Sequence, residues 1–299
     1  MNKQLKLFAY IDICDNPITA WEVAIGRVAS ASFNKENTIP LSFWFLRLIL
    51  FYIRSNYTDS RLNNDLRIEL IRKEFFPSKV SRLKGVYFFQ DYDSAVRSLD
   101  CWKNGNYNKD FIAEVNFLVN KLSYYDSDWI THNLKKKFQT SDEWIYNYLS
   151  GKPMTNSPSW EIIAEGIGYI VNDDLRRLAY SELMKKWPET SSFLNLCSCA
   201  FNYNFLDAGR ITPSIIMENN SLICTYQFDY EYMKLHKLEI FNNINMDFGS
   251  KANIPWLSSH VYNSLFSLPD LNKILPKYAI NDPNIYQYFD RILHFVSND

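Results

Sequence analysis

Glycine is scarce in this chain, at 8 of 299 residues. No Gly-x-x-x-x-Gly-Lys run occurs, and so few glycines argue against a glycine-cradled phosphate site. A Gly-x-Ser-x-Gly elbow and a His-Glu-x-x-His helix are also missing. Cysteine and histidine are few, with 5 Cys and 4 His. Cys197 and Cys199 stand too close for a zinc knuckle or a redox Cys-x-x-Cys pair, and His132, His236, His260 and His294 are scattered. No metal is expected, and dispersed cysteines in odd number fit a reducing cytosol. Neither sign of charge dominates, with 32 basic against 33 acidic residues, so the basic footprint of a nucleic-acid binder is lacking. The run Lys135-Lys136-Lys137 reads as a solvated helix face. The longest apolar stretch, Ile39 to Ile53, falls short of the roughly 20 residues a membrane span needs and contains Arg47. It reads as a buried helix. Met-Asn-Lys-Gln-Leu-Lys leads directly into an apolar strand and does not resemble a secretion leader. A cytoplasmic protein without a membrane partner is the expectation.

What is present is material for a core. Hydrophobic residues make up 47% of the chain, and 20 Tyr and 21 Phe supply rings beyond what a core of this size demands. The length fits one large domain or two smaller ones. Lys6 to Ile13 reads as a first strand, followed by Pro17 and a polar patch. Ser42 to Tyr57 and Asn64 to Glu74 read as helices, the second with Leu66, Leu70 and Ile71 at helical spacing. Arg82 to Phe89 reads as a strand and Asp91 to Leu99 as a helix opened by an aspartate cap. Glu114 to Leu122 reads as a strand and Ser141 to Leu149 as a serine-capped helix. Trp160 to Val171 reads as two strands meeting at Gly166 or Gly168. Beyond Asp174 come a helix from Leu175 to Trp187, a strand from Ser221 to Met233 and a last helix from Ile285 to Val296. The order is α+β, with a boundary near residue 175 between residues 1–175 and a mixed extension over 176–299.

The motifs that carry chemistry stand in a fixed order. A helix bears Glu69 and Arg72, then comes Phe76-Pro77, then Ser81-Arg82-Leu83 leading into Gly85-Val86-Tyr87-Phe88-Phe89. A helix opens at Asp91 with Ala95 near its first turn. Asp126-x-Asp128 follows, then Tyr146-x-Tyr148-Leu149-Ser150-Gly151, and last Pro158-Ser159-Trp160-Glu161-Ile162-Ile163-x-x-Gly166. This series resembles a bacterial and phage branch of the ADP-ribosyltransferase superfamily, over about residues 5–172. In that branch a Glu-x-x-Arg helix precedes a Ser-Arg-Leu segment, and a later strand carries the catalytic glutamate.

The resemblance implies a split β-sheet core with flanking helices, NAD as substrate, and transfer of ADP-ribose to a macromolecule, protein or nucleic acid. It also implies a toxin or phage-defence effector that an antitoxin or neighbouring protein restrains. Glu161 then holds the ribose hydroxyl and offsets the positive charge that develops as nicotinamide leaves. Glu165, on the same strand face, is the fallback carboxylate; the plain alternative for Glu161 is an edge-strand glutamate facing water. Tyr87 and Phe89, on one strand face, stack on nicotinamide, or all three rings from Tyr87 to Phe89 are core. Ser81 and Arg82 bind the phosphates, or Arg82 pairs with Glu69. Tyr10, with Asp12 on its face, stands where the wider superfamily has His or Arg against the adenosine ribose. Ser159 stands where arginine-modifying relatives carry Glu or Gln, which disfavours an arginine acceptor. Two alternatives stay open: a non-catalytic binding module that docks a partner or single-stranded nucleic acid, and an NAD glycohydrolase that uses water as acceptor.

Overall fold

The computed structural model describes residues 3–14, 16–32, 35–101, 107–137, 141–219, 221–246, 267–274 and 278–294. Strand β1 is Lys3–Tyr10. The segment after Pro17 is not a polar patch but helix α1, Pro17–Ile25, buried along most of its length. Asn16 caps it by accepting from the Ile18 N–H, and Gly26 closes it in the left-handed region at φ 97°. Strands β2 (Arg27–Ala29) and β3 (Thr38–Pro40) follow, then α2 (Phe43–Arg54) and α3 (Ser60–Phe75), capped by Ser42 and Asp59. The apolar run from Ile39 is therefore part strand and part helix.

Strand β4 is only Val86–Phe88. Residues 81–85 form a turn instead of extending it, with the Lys84 and Gly85 N–H groups both donating to the Ser81 carbonyl. Helix α4 is Tyr92–Cys101, opened as expected by Asp91, whose carboxylate accepts from the Ser94 N–H. Strand β5 is Ile112–Asp126, and the short α5 (Asp128–Asn133) and α6 (Glu143–Ser150) lead to β6, Trp160–Ile170. Lys135, Lys136 and Lys137 are exposed, as expected, but lie past the end of α5. Then come α7 (Asp173–Lys186), α8 (Ser191–Asn202), β7 (Ile211–Glu218) and β8 (Ser221–Phe228). Helix α9 (Tyr230–Met246) begins where the sequence alternation still reads as strand. Asp229 stops β8 by accepting from the Tyr232 N–H. Helix α10 (Leu271–Ile274), strand β9 (Tyr278–Ile280) and helix α11 (Pro283–His294) complete the chain.

The fold is α+β with two antiparallel sheets. In the first, β6 pairs with β5 along one edge, while β2 and β4 share its other edge. β1 pairs with β5, and Phe8 exchanges two backbone hydrogen bonds (3.0 and 2.7 Å) with Phe89, just past β4. The sheet therefore curls until β1 meets the end of β4.

That curl needs a bend in the long pair, supplied by a bulge between Val119 and Lys121. Gly166 lies opposite at φ 146°, where a Cβ would stand 2.1 Å from the Leu118 carbonyl oxygen. β6 is thus one continuous strand and not two meeting at a glycine. Gly166 and Gly168 admit a close backbone and the Phe117 ring rather than a turn. Gly166→Ala is expected to lower stability by about 2–3 kcal/mol, read from the urea midpoint, because neither the carbonyl nor the φ can relax cheaply.

The second sheet runs β3-β7-β8-β9 and so joins residues from both sides of position 175. The same two stretches share one hydrophobic cluster that includes Trp21, Ile25, Phe45, Leu194, Phe201 and Phe289. Trp21 donates its indole N–H to the Gly209 carbonyl (2.8 Å). Buried Arg27 pairs with Glu22 (2.5 Å) and donates to the carbonyls of Leu206 and Ala208 (2.9 Å each). Helix α11 buries Ile285, Phe289 and Ile292 and packs on α3, where Lys73 donates to the Ile292 carbonyl (2.7 Å). No helix among the described residues is long and apolar enough to cross a membrane.

Candidate active site

Helix α3 places Asp65, Glu69 and Arg72 on one face by their i, i+4, i+7 spacing, and all three are buried. The Glu69 carboxylate accepts from Arg72 Nε (3.0 Å) and Nη2 (2.9 Å) and from the Ser81 hydroxyl (2.8 Å). Arg72 also donates to the Lys79 carbonyl (3.0 Å), and the Val80 N–H donates to Ser123 Oγ (2.8 Å). The turn before β4 is therefore strapped to α3 and β5 at several points, which fixes where Arg82 emerges.

Arg82 points back into the protein, its side chain 3% exposed. Nε donates to Asp65 Oδ1 (2.7 Å) and Nη2 to Asp65 Oδ2 (3.5 Å). Nη1 donates to both the Tyr148 hydroxyl oxygen (2.7 Å) and Glu161 Oε1 (3.1 Å). The Tyr148 O–H in turn donates to the same Oε1 (2.7 Å). One guanidinium thus serves two carboxylates, a geometry that a planar five-donor fork allows. These neighbours raise the Arg82 pKa well above its ordinary value although burial opposes it.

Glu161 stands near the start of β6, directly across from Tyr125 on β5. Burial pushes its pKa up, while the Arg82 charge and the Tyr148 hydrogen bond pull it back. Its side chain keeps 16% exposure, and no described residue donates to Oε2. One carboxylate oxygen is anchored, and the other is without a described donor.

The rings beside it are ordered. Tyr148 stacks on Tyr125 (centroids 4.5 Å apart, planes at 21°), and the Arg82 guanidinium carbon lies 5.5 Å from the Tyr148 ring and 5.2 Å from that of Tyr87. Trp44, at the start of α2 and 41% exposed, lies 5.8 Å from Tyr87. Asp126, at the end of β5, is fully buried and accepts the N–H groups of Asp128 (3.1 Å), Met154 (2.7 Å) and Ser159 (3.1 Å). It ties the loop before β6 to the sheet and so sets the position of Glu161.

Of the residues singled out by sequence, the fold brings Arg82, Tyr87 and Glu161 together. Tyr87 donates its hydroxyl to the Arg82 carbonyl (3.1 Å). Ser81 is adjacent but turned away, engaged with Glu69 and the Leu83 N–H (3.2 Å). Arg82 takes Asp65 as its partner rather than Glu69, one turn further along the helix. Glu165 shares the Glu161 face, cross-strand from Lys121 and within electrostatic reach of Arg72.

Tyr10 and Phe89 fall elsewhere, in a separate apolar cluster with Phe8, Ala95, Leu99 and Ile112. Strand parity puts Phe89 beside Tyr87, but the chain leaves β6 after Phe88 to meet Phe8, and the ring leaves with it. Tyr10 packs edge-on to Tyr107 (5.4 Å), and burial pushes its phenol up to about 12. Phe88 packs on Phe117 in the main core.

Asp65, Tyr125 and Trp44 carry no signal of their own in the sequence. Asp65 was legible only as the residue four before Glu69, and Tyr148 only as part of the turn around Gly151. Among the described residues no group of three or more His, Cys, Asp or Glu is placed to hold a metal. No protein-family model matches the chain, and no curated protein matches it at a significant level.

Proposed function

We propose that the protein is an ADP-ribosyltransferase that uses NAD as substrate and Glu161 as its catalytic carboxylate. The observation that carries this reading is the split role of that side chain. Oε1 is fixed by Arg82 and Tyr148, while Oε2 has no donor among the described residues and the side chain keeps 16% exposure. A carboxylate so held accepts a hydrogen bond from a ribose hydroxyl and stabilises positive charge growing on the ribose carbon without moving. NAD supplies the bond that breaks, between that carbon and the nicotinamide nitrogen, and nicotinamide leaves with the bonding pair.

On this reading Tyr87 and the exposed Trp44 are the rings available to a flat nicotinamide. Arg82 acts through Glu161, since its donors are engaged with Asp65, Tyr148 and Glu161. The core would then be the split sheet of that superfamily. The acceptor would be macromolecular and the protein an effector held in check by a partner, as the resemblance to that superfamily implies. Because the Glu161 pKa is raised, its charged form gains population as pH rises, so turnover should climb through the Glu161 titration and then level off.

The test is incubation of the purified chain with NAD labelled in the ADP-ribose moiety and whole-cell lysate, followed by protease or nuclease in parallel. Label that nuclease removes and protease spares identifies a nucleic-acid acceptor, and the reverse identifies a protein. Free ADP-ribose alone makes the protein a glycohydrolase. Neither label transfer nor nicotinamide release overturns the enzymatic reading in favour of a binding module.

A further inference from the structure

Among the described residues, Tyr148 is the side chain that hydrogen-bonds both Glu161 and Arg82, and it is itself held on a second side. Its hydroxyl oxygen lies 2.7 Å from Arg82 Nη1 and 2.7 Å from Glu161 Oε1, and its ring stacks on Tyr125. Tyr125 is anchored in turn by its hydroxyl on the Val80 carbonyl (3.2 Å). The helix that carries Tyr148 ends three residues later at Gly151, which takes the left-handed conformation at φ 78° and donates to the Tyr148 carbonyl (3.0 Å). The chain then turns back toward β6, so a single block, 148–161, presents both partners of the hydrogen bond.

We infer that Tyr148 is the positioning residue of Glu161, donating to Oε1 so that the carboxylate is fixed in one rotamer with only Oε2 turned to a ligand. Burial keeps the phenol protonated by raising its pKa well above the ordinary value, so it serves as a standing donor. The other titratable groups facing Glu161 are Asp65 from α3, Arg82 and Tyr87 from the turn and β4, and Tyr125 and Asp126 from β5. Of these, Arg82 alone joins Tyr148 in bonding it among the described residues.

The test follows the Glu161 carboxyl directly, by carbon NMR of glutamate-labelled protein with the resonance assigned through Glu161→Gln. Tyr148→Phe removes a hydrogen bond made to the charged carboxylate and should move the titration midpoint up by about one pH unit. Difluorotyrosine placed at 148 by stop-codon suppression, a stronger donor of nearly the same shape, should move it down. In the kinetic arm, which rests on the NAD reading above, Tyr148→Phe should cut kcat about tenfold with KM changed less than about twofold. Its alkaline-rising pH profile should shift upward with the NMR midpoint. Midpoints unchanged in both variants, with melting temperatures like the wild type, would overturn the inference. Should Tyr148→Phe not fold, the difluorotyrosine protein decides alone. A wild type that never turns over NAD removes the kinetic arm and the function reading, while the titration still decides whether Tyr148 positions Glu161.

Discussion

Glu161→Gln should leave NAD turnover reduced by about a thousandfold or more while the protein melts no lower than wild type at neutral pH. The amide keeps the shape of the side chain and an acceptor oxygen for Arg82 and Tyr148, so the packing has no reason to change. What it lacks is the negative charge that a developing cation on the ribose requires. The thermal half of the result follows from linkage. Glu161 has a folded-state pKa above its unfolded value, so the native state holds the proton more tightly. Stability therefore falls as pH rises from the ordinary glutamate value through the raised one. An amide is free of that loss, so the variant should melt at or above the wild type at neutral pH, and the gap should close on acidification. Calorimetric melts across the acid-to-neutral range, beside a nicotinamide-release assay, measure both halves. Retained turnover in a folded Glu161→Gln protein would end the assignment.

The largest effect on stability is expected from Arg82→Met. The guanidinium is 3% exposed and is the cation between Asp65, whose side chain is fully buried, and Glu161. Removing it leaves two carboxylates in a poorly solvated site, a loss of about 3–5 kcal/mol by urea denaturation. The deficit should shrink as pH falls, because protonating a carboxylate removes the uncompensated charge. Arg82→Lys should recover little, since an ammonium cannot bond Asp65 along one edge while serving Tyr148 and Glu161 along another. Combining Asp65→Asn with Arg82→Met should be milder than the sum of the two single losses, which is the signature of residues that act as a pair. Additive losses would mean that Arg82 stabilises the fold by packing alone.

Much of the α3-to-β6 arrangement was legible in the chain because its signals are local. Leu66, Leu70 and Ile71 mark a helix by spacing, Asp91 marks the start of another by its side-chain chemistry, and the apolar run after Glu161 marks a strand. Two departures from the local signals have different physical causes. The stretch after Pro17 reads as a polar patch, whereas it folds as helix α1. In the fold Glu22 is buried against Arg27 and the Ile211 N–H (3.0 Å). Gly166 reads as a turn because a glycine between apolar residues signals a turn or a bulge equally well. The choice depends on Leu118, nearly fifty residues earlier.

The candidate site divides the same way. That Glu69, Arg72, Ser81 and Arg82 belong to one region, and that Glu161 begins a strand, could be said from residue types at short range. Which carboxylate Arg82 takes could not, because Asp65 and Glu69 lie one helical turn apart and only the path of the following turn selects between them. Nor could the separation of Phe89 from Tyr87, which depends on β1 crossing to meet the end of β4.

The sequence alone determined an α+β chain poor in glycine and metal ligands, with most of the helices and strands from β1 to α7 and one ordered set of polar motifs. The tertiary structure decided that Asp65, Arg82, Tyr148 and Glu161, drawn from four separate segments, share one buried charge network. Local spacing encodes periodicity and capping, whereas the pairing of buried charges is settled by which groups lose water together when the layers close.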